Sequence, residues 1–234
     1  METWSVLLAD VDKRDKIYRT IQYLCKLYCG LPYGSAETKL GVRKLAKVLS
    51  SARQVLRLGK SFLVWNKIRS QPKMVDPISF SLIRLSDFSF MLYFLYDNIA
   101  WLFRSGLIVG KEKGPRRKAT EFYLSGAAFN LLENTRQLLK IVFMERHYSS
   151  SEHSQNEMMG EQHFSAQMKH DRIWKQRLYL TICICIRLIL DIIVALNILR
   201  DDSKDTIFNG ICGSLSSIIA FYISWPVKKS ISSE

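Results

Sequence analysis

"LYLTICICIRLILDIIVALNIL", residues 178–199, is apolar along almost its whole length. At 1.5 Å per residue it makes a helix about 33 Å long, enough to cross a hydrocarbon layer of about 30 Å. Two charges interrupt it, Arg187 and Asp191. Their i,i+4 spacing sets both on one helical face, where they can pair as packing residues of a helical bundle or belong to a polar path, because charge inside a span turns toward other helices or water.

A second run, "IFNGICGSLSSIIAFYISW", covers 207–225 without a charge and ends at Pro226. It too is long enough to span, at roughly 28 Å. Gly210, Gly213, Ser214 and Ser217 provide small-xxx-small spacings that permit close helix approach. The two runs are joined by the short polar segment "RDDSKDT", so the pattern predicts a transmembrane helical hairpin. Lys169, Arg172, Lys175 and Arg177 precede it and Lys228 and Lys229 follow it, while the loop carries Asp201, Asp202 and Asp205 against Arg200 and Lys204. The basic-inside tendency places both ends in the cytosol.

The formal charge of +13 points to negative surroundings: nucleic acid, acidic protein or anionic headgroups. The first residues, "METWSVLLADVDKRDK", lack the basic, apolar and small-residue succession of a signal peptide. Cys25, Cys29, Cys183, Cys185 and Cys212 have no zinc-ligand spacing. No nucleophile motif, paired carboxylates or phosphate loop accompanies them, so neither a catalytic residue nor a metal or other cofactor is expected.

Upstream of the hairpin the chain reads as helices separated by turn chemistry. Residues 3–29 have helical apolar spacing and stop at Gly30 and Pro32. A basic amphipathic helix follows over about 39–70 and ends at "QPKMVDP"; an apolar, aromatic helix covers about 78–109, and another helix about 119–146. Residues 78–109 suit an interfacial, core or spanning helix equally, since Arg84, Asp87, Asp97, Asn98 and Arg104 interrupt them. Residues 147–170, which hold His147, His153, His163 and His170, read as a flexible polar linker whose histidines fit no compact metal pattern. The fold class is thus an all-α membrane protein: a membrane-associated, cytosol-facing helical region over 1–146, the linker, and the hairpin within 171–234.

The decisive upstream segment is "KLGVRKLAKVLSSARQVLRLGKSF", residues 39–62, basic and apolar without an acid. At about 100° per residue, Val42, Leu45, Val48, Leu49, Ala52, Val55, Leu56 and Leu63 share one broad apolar face. Lys39, Arg43, Lys44, Lys47, Arg53, Arg57 and Lys60 occupy the opposite face and its boundary, as headgroup-facing cations would. The same apolar face also reads as a coiled-coil seam through Val42, Leu45, Leu49, Ala52, Leu56, Gly59 and Leu63. No DNA- or RNA-recognition pattern accompanies the basic face, so the expected partner is an anionic phospholipid membrane and not nucleic acid.

Three segments then carry a resemblance. "KRDKIYRTIQY" (13–23), "SSARQVLRLGKSF" (50–62) and "LYDNIAWLFRSGLI" (95–108), followed by "GICGSLSSIIAFYISWP", resemble in order and spacing the motifs of the peroxin-eleven family, proteins that proliferate and elongate peroxisomal membranes. The resemblance implies a peroxisomal membrane protein with cytosolic termini that forms homo-oligomers. It also implies membrane tubulation by the amphipathic helix ahead of fission, with a dynamin-related GTPase and its membrane adaptor as partners. The alternative function is a channel for small metabolites, which would draw on Arg187, Asp191, Asp97 and Asn98.

Overall fold

The computed structural model describes residues 9–72, 76–152, 161–200 and 206–225, with side chains for all of these except 144–152, 161–171 and 206. Among them every regular element is an α-helix: α1 (Val11–Gly30), α2 (Ala36–Leu56), α3 (Lys60–Ser70), α4 (Pro77–Arg104), α5 (Lys113–Glu152), α6 (Glu161–Leu199) and α7 (Thr206–Ser224).

Local chemistry sets these boundaries. Asp10 caps α1 by accepting from the Asp12 and Lys13 amides, and Ser35 caps α2 through the Thr38 amide. Asp76 caps α4, whose first turn begins with Pro77, where a missing N–H costs nothing. The helix expected over 39–70 is instead two helices, because Gly59 takes a positive φ of 73° between them. Helices α5 and α6 run on to Glu152 and from Glu161, so of the stretch read as a linker only 153–160 lies outside the described backbone. The four histidine side chains all lie outside the described residues.

The helices form an up-and-down bundle in which α1 packs on α2 and α7, α4 on α2, α3 and α5, and α6 on α5 and α7. Gly30 of α1 meets Ile207 at the start of α7, while Lys16 donates to Ser224 at its end, so α1 and α7 are antiparallel. The junction of α1, α6 and α7 is a small apolar core of Tyr23, Val194 and Cys212, backed by Leu190 and Ile193. Both expected spans appear, and α4 is a third helix long and apolar enough to cross a membrane.

Burial is reversed relative to a water-soluble bundle. On α4 the buried side chains are Ser79, Ser86, Asp87, Ser89 and Ala100, whereas Ile78, Leu85, Phe88 and Leu95 are exposed. On α7 Ser214, Ser216 and Ser217 are buried while Ile211, Leu215 and Ile218 face out. Polar and small groups inside with branched and aromatic groups outside is what a hydrocarbon surrounding selects, since lipid gives apolar side chains no reason to leave the surface.

The glycines of α7 pack within the chain. A Cβ added at Gly210 would stand 2.8 Å from the Leu27 Cα and 2.9 Å from its N, and one at Gly213 would enter the Tyr23 ring. The small-residue stripe is thus covered by α1, so it is not the free surface through which the spans of two copies would meet. Gly210→Val is expected to destabilise the bundle by about 1–3 kcal/mol, the usual cost of overpacking. Gly41→Ala, at a helical position with open space around it, should leave the melting temperature in detergent unchanged or slightly raised.

Candidate functional site

The apolar face expected on 39–63 points outward. Val48 is 64% exposed and Leu63 69%, with Leu45 and Val55 also exposed; Val42, Leu49, Ala52 and Leu56 are half-buried. Leu58, Phe62 and Trp65 extend the surface. Between Lys47 and Lys67, roughly 30 Å of helix, Asn66 is the one exposed residue that is not apolar. Among the described residues the coiled-coil seam is therefore not packed against the chain's other helices, and what packs inward is Ala46, Gln54, Arg57, Ser61 and Ile68.

Two cations assigned to the headgroup side prove to be internal. Arg53 donates from Nε to Asp15 Oδ1 at 2.9 Å and from Nη1 to Gln22 Oε1 at 2.8 Å. Arg57 is buried, donates to the Tyr93 hydroxyl, and pairs with Asp97 at 3.3 Å. The physical reason is that α1 and α4 bring carboxylates to this side of α2, and a guanidinium that finds one loses less than a solvated ammonium would. Burial works to raise the Asp15 carboxyl, yet Arg53 and Arg57 hold it below the usual carboxylate range. Lys60 pairs with Asp12, and Lys39 donates to the Leu31 carbonyl at 2.6 Å. Arg43, Lys44 and Lys47 remain exposed beside the apolar surface.

A polar cluster lies beneath this surface. Asp191 does not pair with Arg187; it accepts from Arg19 of α1, from the Tyr123 hydroxyl of α5 at 2.8 Å and from Ser216 of α7. Arg187 Nε is buried without a hydrogen-bond partner. Next to this, Gln54 donates to Asp97 at 2.9 Å and accepts from Arg104 at 2.8 Å, and Arg104 also holds Glu112. The hydrogen bond from Arg104 holds the Glu112 carboxyl below the usual carboxylate range. Asp97 and Asp191 line one cavity of about 160 Å³, whereas Arg187 and Asn98 are not in its wall, so the four polar residues considered for a channel do not form one common lining.

Arg19, Gln22 and Tyr123 escaped the sequence reading, which placed Gln54 on the polar face of the amphipathic helix without assigning it a partner. The available signal was Asp191 in a span, which requires a cation, but Arg187 one turn away offers itself first and α1 carries several others.

The family described as peroxisomal biogenesis factor 11 (PEX11) matches residues 1–225. The chain is 29% identical to human "Peroxisomal membrane protein 11B" over 150 residues, 62% of this chain and 58% of that protein, so the match spans less than two thirds of the human relative. It is 33% identical to "Peroxisomal membrane protein 11B" of Arabidopsis thaliana over 107 residues, 45% of this chain and 47% of that one. "Peroxisomal membrane protein 11-5" of Oryza sativa subsp. japonica is 28% identical over 221 residues, 92% of this chain and 88% of that protein. No solved structure matches.

Removing one side of the Arg19–Asp191 pair strands a buried charge. Asp191→Leu should therefore destabilise the bundle by about 3–5 kcal/mol, and Arg19→Leu combined with it should recover most of that loss. Denaturation of the three proteins in detergent checks both expectations.

Proposed function

The chain belongs to the peroxisomal biogenesis factor 11 family, and from that membership and the outward face of α2 and α3 we propose that it remodels the peroxisomal membrane, elongating it ahead of fission and so controlling peroxisome number. It is not an enzyme in this reading. The carrying observation is the surface of Val48, Val55, Leu58, Phe62, Leu63 and Trp65, exposed and free of charge, on a protein with three membrane-length helices.

Val48, Val55 and Leu63 enter the acyl region of the cytosolic leaflet, while Arg43, Lys44 and Lys47 meet anionic headgroups. Each copy then adds area to one leaflet, and homo-oligomers concentrate that asymmetry into a tubule. Because the bundle already presents the apolar face, insertion requires no release of α2 from its neighbours. Arg53 and Arg57 act differently, holding the helix to α1 and α4. Both termini lie in the cytosol, and a dynamin-related GTPase with its membrane adaptor severs the elongated membrane. This reading is favoured over a metabolite channel, which lacks a common lining of Asp97, Asn98, Arg187 and Asp191.

Placing acid on the outer face separates insertion from folding. The variant Leu45→Asp, Val48→Asp, Leu63→Asp should retain the helical circular dichroism of the parent in detergent but lose tubulation of vesicles containing anionic phospholipid. Tubulation at the parental level would overturn the wedge.

A further inference from the structure

We propose that the half-open cavity lined by α1, α2, α4, α5 and α6 binds a single phosphate-type oxyanion. Its wall carries six cations, Arg19, Lys26, Arg53, Arg57, Arg104 and Arg116, and two carboxylates, Asp97 and Asp191. Two further acids reach these cations from outside the wall, Asp15 to Arg53 and Arg57 and Glu112 to Arg104 and Arg116. Six positive charges thus face four negative ones among the described residues, leaving an excess of two in a partly desolvated space.

The excess has an address. Lys26 lies over the Tyr23 ring, 4.7 Å from its centroid, and has no carboxylate partner among the described residues. Arg116 reaches Glu112 at 3.4 Å, but that carboxylate already accepts two hydrogen bonds from Arg104. Both cations border the cavity, so their charge is available to a guest. A phosphate dianion or phosphomonoester neutralises two charges and accepts from several donors at once, which guanidinium and ammonium groups reward with charge-assisted hydrogen bonds. Uncharged groups of the wall, Gln22, Ser50 and Thr120, can serve its remaining oxygens.

Size narrows the ligand. At about 160 Å³ the cavity is well below the roughly 300 Å³ where sites for drug-sized molecules begin, so one phosphate group enters and any larger body stays outside. An adjoining cavity of about 550 Å³ shares Arg116, Thr120 and Ile198 with the inner one and adds Lys113, Arg117 and the single carboxylate Glu112 to its wall, so three cations face one acid there. Its positive lining focuses the field toward the inner site and gives the remainder of a phosphorylated molecule somewhere to lie. The shared chemistry is therefore a phosphate group, carried by a soluble ion or by the headgroup of a phosphorylated lipid.

The inference goes beyond membrane elongation and is tested without it. The full chain, purified in detergent free of phosphorylated lipid, is titrated with inorganic phosphate at ionic strength held constant with chloride, and separately with phosphatidylinositol phosphate against unphosphorylated phosphatidylinositol. A saturable rise in melting temperature is expected in at least one arm, and the arm that gives it identifies the source. Lys26→Gln and Arg116→Gln should each weaken binding about tenfold, the equivalent of one charge-assisted contact. Neither cation has a short ion pair to lose, so both variants should fold, and Arg69→Gln, at an exposed position outside the walls of both cavities, should bind as the parent does. No saturable shift in either arm, or a shift unchanged in the Lys26→Gln, Arg116→Gln double variant, would overturn the site.

Discussion

One carboxylate organises this bundle. Asp191 sits in residues 172–199 of α6, the most apolar of the three membrane-length stretches, is 3% exposed, and is reached from three other helices by Arg19, Tyr123 and Ser216. A charge at that depth is tolerable only with its partners in place, so the position of α6 dictates where α1, α5 and α7 stand. The glycines of α7 follow from the same constraint, because Arg19 reaches Asp191 only if α1 approaches closely enough for Leu27 and Tyr23 to lie against Gly210 and Gly213.

The second ion-pair layer extends this arrangement to α2 and α4. Asp15, Gln22, Arg53, Arg57, Tyr93 and Asp97 turn the polar side of α2 inward and leave its aliphatic side outward. Interior polarity and exterior apolarity are thus two views of one arrangement. The interior fixes helix positions through directional contacts, and the exterior is left for lipid. The proposed membrane-shaping role would use the outside, and the proposed oxyanion site the charge imbalance left within.

Continuous apolar runs made the hairpin legible in the sequence, since no other solvent suits 178–199 and 207–225. The amphipathic segment was legible in period but not in direction. A helical wheel separates Leu45 and Val48 from Arg53 and Arg57, yet nothing in the wheel says which side meets the protein. In water the apolar side would pack, as the coiled-coil seam supposes; in lipid the polar side does. The Arg187–Asp191 spacing misled for a related reason, because i,i+4 proximity on one helix competes with a partner 172 positions away that only the tertiary fold supplies. The break at Gly59 was visible as a glycine but not as a positive φ.

The central claim, that α2 and α3 turn apolar side chains to lipid and polar ones to the bundle, is most directly tested by nitroxide accessibility. Labels are placed one at a time at Val48, Val55, Phe62 and Leu63, and at Ala46, Gln54 and Ser61, in the full chain in anionic vesicles. The account predicts that oxygen relaxes the first set while a water-soluble nickel reagent does not, and that the second set is shielded from both. Ready access of the nickel reagent to Val48, Val55, Phe62 and Leu63 would contradict it.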